Sequence, residues 1–313
     1  MLAGAIAAPA LLSARARGQG LKPVDVLLDW KAAPTYSGFY LARDMGAFKK
    51  RGVEVRLVEG QGAAQSAATI GAGKQFWIGS SSGGATAIGR ASNLAVRSLA
   101  VYYRRTPTVI YSRLEDHIDS PRDLYNKRIG LVPGSATVDE YRALLIANHL
   151  DRKRITEVTV GRDSKALFDL SVDALVDYEE IAPAEARAEG KKISILRLAD
   201  FGVRLYSLNL IVNDDAWNDS ARRDIAQKIA EALQEGYGAV RDRPREATAA
   251  LKRLFPELGA AYVDESMRTV ARELGALPIG LQTRAGWEDT LKSLTSLGLL
   301  ARPVAPDEVA IME

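Results

Sequence analysis

From residue 24 onward the chain alternates short apolar runs with amphipathic segments of helical length. VDVLL (24–28) has the length of a buried strand. Beyond it Leu41, Met45 and Phe48 recur at i, i+4 and i+7 on one helical face, with Lys49, Lys50 and Arg51 in the last turn and Gly52 placed to end the helix. VEVRLV, AAQSAATIGAG closing at Gly71 or Gly73, and FWIGSSS then repeat strand, helix, strand. This βαβαβ order predicts a parallel sheet with right-handed crossovers. LAVRSLAVYY and PTVIYS are further strands, Pro121 and its polar neighbours mark a lobe boundary, and RIGLVPGSATVDEYRALLIANHL opens a new βα unit. TEVTVG, VDALVDY and KISILRL continue as strands separated by helices near 163–169 and 180–189. LYSLNLIV (205–212) reads as a return crossing, and helical patterns dominate from Asp214 onward. The pattern predicts two α/β lobes with a cleft between them: lobe 1 from 17–115 plus 205–313, lobe 2 from 116–204.

Composition narrows the function. At 313 residues, 47% hydrophobic and 26% charged, the chain can bury a core in each lobe. A net charge of +3, with basic residues scattered among acidic ones, argues against a nucleic-acid partner. The lack of cysteine excludes thiol catalysis, thiolate metal sites and disulfides. His117 stands in a polar linker and His149 at a helix end, so neither a nucleophilic triad nor a histidine metal site is visible. On this inventory the expectation is a binding protein that is not an enzyme, without cofactor or metal, acting as a monomer. The first residues add an address. MLAGAIAAPALLSARA has a short apolar stretch and the A-x-A form of a signal-peptidase site at Ala14–Ala16, so residues 1–16 read as the back half of a secretory leader whose basic start is missing. A periplasmic location is expected.

Candidate ligand contacts gather where open α/β sheets hold ligands, at the carboxyl ends of strands. Trp30 follows the first strand and Tyr36 begins the next helix, so both rings suit stacking on a flat ligand, worth about 0.5–1.5 kcal/mol beyond area burial. Tyr40 lies one turn further in and is a candidate for either core or site. GSSSGGAT brings Ser80, Ser81 and Ser82 to a glycine-rich strand-to-helix turn; the absence of a following GK[ST] argues against a nucleotide-phosphate loop. In VPGSATVDE, Thr137 and Glu140 fit a capping box, which leaves Ser135 to contact ligand. Tyr178, Glu179 and Glu180 close the strand in VDALVDYEE, where Glu179 has an ordinary role near a helix N-terminus.

LDWKAAPTYSGFYLARDMGAFKKRGVEVRLVEG, GSSSGGAT, RIGLVPGS and VDALVDYEEIAPAEARAEG together resemble the NMT1/THI5-like family of periplasmic solute-binding proteins, over residues 24 to 215. Within it, the LDW opening and VDALVDYEE are most similar to the branch that binds thiamine-pyrimidine precursors, with sulfonate, nitrate and riboflavin binders as cousins. The resemblance implies a type II periplasmic-binding-protein fold, a small N-heterocyclic ligand, an ABC permease at the inner membrane as partner, and Glu180 as an acidic ligand contact. It leaves a sulfonate, nitrate or other organic anion as the alternative ligand. A pyrimidine synthase of the same superfamily works with cysteine and histidine clusters, a deaminase-type transferase on this fold needs a cysteine, and a regulator with this effector fold carries an N-terminal helix-turn-helix where this chain has its leader. All three are expected to be excluded.

Overall fold

Two five-stranded sheets, each flanked by helices, organise the chain. A computed structural model describes residues 23–133, 135–161 and 164–312; the leader expected over 1–16, like Gly134 of the VPGS turn, lies outside the described residues. The first lobe opens with β1 (Val24–Leu27), α1 (Ser37–Asp44), α2 (Ala47–Lys50), β2 (Val55–Val58), α3 (Ala63–Ala72), β3 (Ile78–Ser82), α4 (Gly83–Ala91) and β4 (Val96–Val101). The helix predicted as one piece over Leu41, Met45 and Phe48 is two, because Gly46 takes φ +68°, a left-handed turn that ends α1. Leu41 and Phe48 still reach the core. Gly73, also left-handed at φ +64°, ends α3.

Residues 102–107 cross to the second lobe. It comprises β5 (Thr108–Arg113), β6 (Arg128–Leu131), α5 (Ala136–Ala147), β7 (Thr156–Thr159), α6 (Lys165–Phe168), β8 (Ala174–Tyr178), α7 (Ala182–Ala188) and β9 (Ile193–Arg197). The chain returns through 202–207 into β10 (Leu208–Asn213) and then runs through α8 (Asp214–Asn218), α9 (Ser220–Asp242), α10 (Pro244–Leu254), α11 (Ala260–Leu274) and α12 (Arg284–Ser296). Among the described residues no helix is long and apolar enough to cross a membrane.

Two features depart from the sequence-based expectation. The first sheet, ordered β2-β1-β3-β10-β4, is mixed rather than parallel: β10 runs antiparallel between β3 and β4, because the chain re-enters from the opposite lobe. The boundary expected at 115/116 also moves back. β5 hydrogen-bonds antiparallel to both β8 and β9 in the second sheet, ordered β7-β6-β8-β5-β9. Val109, Ile110 and Tyr111 are buried on both faces of that sheet, which is where a central strand places an uninterrupted apolar run.

The core of the first lobe packs β1, α1 and β10 against α9 to α11. On one side of the molecule Trp287, Leu291 and Leu294 of α12 join Ala87 of α4 to Tyr141 and Leu144 of α5 in one apolar cluster, so a C-terminal helix braces both lobes. On the other side α11 packs on α7.

Candidate ligand-binding cleft

The lobes meet over the carboxyl ends of β1 and β8. Asp29, Trp30 and Tyr36 line the resulting cleft from the first lobe, and Ser135, Asp177 and Tyr178 from the second. Just past β1 and at the end of β8, an aspartate is thus followed by an aromatic residue.

Asp29 is fixed by its surroundings. Its backbone N–H donates to Ser80 Oγ at 2.9 Å, the same hydroxyl donates to Asp29 Oδ1, and Tyr36 O–H donates to that oxygen at 3.1 Å. Burial raises the Asp29 pKa above the ordinary aspartate value, opposed by these two hydroxyl donors. The turn that carries the rings is held by Tyr237, whose hydroxyl donates to Thr35 O at 2.9 Å. Across the cleft, Asp177 Oδ1 accepts from the Tyr178 N–H at 2.8 Å, and the Tyr178 hydroxyl lies 3.5 Å from Ser207 Oγ in the return crossing. Tyr178 is thereby linked to one of the two segments that cross between the lobes.

Trp30, Tyr36, Ser135 and Tyr178 come together at this cleft, Ser82 lines a cavity beside it, and the other candidates line neither. Tyr40 is core: its ring meets Phe255 edge-on with centroids 4.5 Å apart, because α1 turns that face toward the C-terminal helices. Ser80 positions Asp29 and is fully buried. Ser81 donates to Ala63 O at 2.9 Å, and Ser82 caps α4 by accepting from Ala85 N–H at 3.1 Å. Glu180 is also fully buried and is absent from the cleft wall; its Oε1 accepts from Thr35 Oγ1 of the opposite lobe at 3.0 Å, and its Oε2 has no hydrogen-bond partner among the described residues. Burial raises its pKa to about 8, so at neutral pH it is mostly a neutral acid, and it does not stand on the cleft wall as the acidic contact the resemblance implied.

The capping box is different too. Ser135, not Thr137, caps α5, accepting from Thr137 N–H at 3.4 Å. Glu140 instead turns inward and accepts from Thr106 Oγ1 at 2.5 Å and from Thr108 Oγ1, gripping the outgoing crossing. Glu179 ties the lobes together: Arg197 of β9 and Arg272 of α11 donate to it at 2.8 and 2.6 Å. Burial works to raise its pKa, and the Arg272 and Arg197 guanidiniums hold it below the ordinary glutamate value. Sequence reasoning missed Asp29, Asp177 and Thr35. The signal was present for the two aspartates, since LLDW and LVDY each end a buried strand in an acid.

The profile of the NMT1/THI5 like family matches residues 33–247. The chain belongs to that family. A formylaminopyrimidine-binding protein from Halalkalibacterium halodurans is 23% identical over 93% of this chain and 90% of its own. A pyrimidine phosphate synthase from Uromyces fabae is 27% identical over 80% of this chain and 77% of its own. The alkanesulfonate-binding protein of Xanthomonas axonopodis pv. citri, bound to MOPS, superposes with a TM-score of 0.72 at 15% identity, covering 93% of this chain and 99% of that one. The fold is that of the periplasmic binding proteins.

The synthase corrects one expectation. Sequence reasoning held that the chain is no enzyme and excluded the pyrimidine synthases for want of cysteine; a relative named as such a synthase, aligned over four-fifths of this chain, removes that exclusion. A missing thiol rules out thiol chemistry only, and carboxyl, hydroxyl and imidazole groups remain.

Proposed function

We propose that this NMT1/THI5-like chain captures a small, flat, amino-substituted N-heterocycle by closing its lobes over it, and that it does so as the exported, periplasmic component of an ABC importer. One observation carries the reading: an Asp–aromatic pair from each lobe, Asp29–Trp30 and Asp177–Tyr178, lines one cleft together with Tyr36. Carboxylates accept the N–H donors along the edge of an aminopyrimidine, in charge-assisted bonds stronger than neutral ones, while the rings cover its faces. Because the two pairs come from different lobes, both engage only in the closed form, which gives the ligand its differential affinity for closure. A sulfonate meets the opposite environment. Among the described residues lining the Asp–aromatic end of the cleft none is arginine or lysine, and the aspartates repel an anion. The pyrimidine-binding relative supports the same ligand class.

The test is mass spectrometry of ligand released from the purified chain, followed by calorimetric titration with an aminopyrimidine and with an alkyl sulfonate. A released amino-heterocycle, and titratable aminopyrimidine that raises thermal stability by about 2.7 kcal/mol at 100 times its dissociation constant, is the expected result. Tight sulfonate binding with no pyrimidine binding overturns it. The fungal relative favours a second reading, synthesis of a pyrimidine phosphate. Appearance of a phosphorylated pyrimidine on incubation of the loaded protein would select that reading.

A further inference from the structure

The Asp–aromatic end of the cleft encloses only ≈ 60 Å³, yet a second cavity of ≈ 680 Å³ adjoins it and shares Ala63, Ser135 and Ala136 with it. The walls of this larger space come from both lobes. Ile88 on α4 and Leu94 beyond it face Leu131 at the end of β6 and Val138 on α5, and Leu297 after α12 closes one side. A space of this size is ordinary for a drug-sized ligand and exceeds what one small ring needs.

We propose that the ligand has two parts, an amino-heterocycle at Asp29 and Asp177 and an uncharged apolar or aromatic arm that lies in this adjoining cavity. The inference rests on the heterocycle reading above and adds the class of substituent. Three features lead to it. The cavity borders the ring site along Ala63, Ser135 and Ala136, all small side chains, so a substituent on the ring has only these to pass. Its apolar surfaces belong to opposite lobes, so an arm removes both from water only when the lobes are shut and thereby strengthens closure.

The third feature is charge. On these walls Glu157 accepts two bonds from Arg152 at 2.5 and 2.6 Å and Glu140 is engaged by Thr106 and Thr108, while Arg142, 3.7 Å from Asp139, keeps a buried Nε–H without a hydrogen-bond partner among the described residues. The acids Asp139, Glu140 and Glu157 outnumber the single arginine on these walls and disfavour an anionic arm, and the aliphatic side chains favour an apolar one.

The experiment is calorimetric titration of the purified full chain with an aminopyrimidine carrying a hydroxymethyl group and with the benzyl ether of the same molecule. The ether is expected to bind about 10-fold more tightly or better. Ile88→Trp and, separately, Val138→Trp fill the cavity from opposite lobes, and each is checked for folding by its melting transition. In either folded variant the ratio of the two dissociation constants is expected to fall to one or to reverse. An ether that binds no more tightly than the alcohol, or an advantage that survives both variants, overturns the two-part ligand while leaving the ring site standing. Failure of both probes to bind the unmodified chain overturns the heterocycle reading and this inference together.

Discussion

Asp29 shows how a candidate contact is prepared. Ser80 and Tyr36 spend their hydroxyls on its Oδ1, so one carboxylate oxygen is anchored and its orientation set before any ligand arrives. Asp29→Asn preserves this anchor, because an amide oxygen accepts the same two bonds, but removes the charge and adds donors. Affinity for an aminopyrimidine is expected to drop about 10- to 100-fold. Burial disfavours the Asp29 charge, so the ligand-free melting temperature of the variant should hold or rise above neutral pH. Calorimetry paired with thermal melting separates the two effects; a variant that binds normally would remove Asp29 from the site. Trp30, Tyr36 and Tyr178 were legible as candidates for the cleft wall because they stand at or soon after strand ends. Tyr40 misled because an aromatic one helical turn away has the same sequence signature whether its face meets ligand or Phe255.

At the scale of elements, the helix that follows the site turn is set by a close approach with no sequence signal. A Cβ placed on Gly236 of α9 would lie 2.0 Å from Gly38 O in α1, and one on Gly38 would lie 2.3 Å from the Tyr237 ring. Backbone-to-backbone packing of α1 on α9 brings Tyr237 to Thr35 and so holds the cleft wall. Gly236→Ala forces the helices apart and is expected to cost about 1–3 kcal/mol in denaturant unfolding, with weakened ligand binding as the Thr35 turn shifts. Unchanged stability would show that α9 yields without strain. The periods of α1 and α9 were readable; their contact was not, because glycines inside a helical pattern say nothing about which helix lies opposite.

Across the whole molecule, two buried acids sit where the lobes join. Burial raises Glu180 to about 8, with the Glu273 and Asp177 charges adding and hydrogen bonds from its own backbone N–H and Thr35 opposing. Burial likewise raises Glu140 to about 7, against hydrogen bonds from Thr106 and Thr108. Both lie above the ordinary glutamate value of 4.5, so between that pH and their raised values the folded chain binds more protons than the unfolded one. Their contribution is complete below the ordinary value and is lost as pH rises through the folded one. Stability is therefore expected to fall from about pH 5 to about pH 8 through these groups. Glu180→Gln keeps an acceptor for Thr35 without an ionisable proton and should flatten the upper part of that slope. Denaturant midpoints across this range check it, and parallel curves for the two proteins would refute it.

The alternation of apolar runs with amphipathic segments determined the strands, the helices, their order and the two-lobed plan, because each of those depends on residues a few positions apart. Partner choice between distant segments belonged to the tertiary structure alone. It placed Thr108–Arg113 in the second sheet, ran Leu208–Asn213 antiparallel through the first, and withdrew Glu180 from the cleft. The same acid in YEE reads in the sequence as a ligand contact at a strand end facing the cleft. Only packing of α7 against α11, with Thr35 brought over from the other lobe, decided that it would be buried, nearly neutral and part of the joint between lobes.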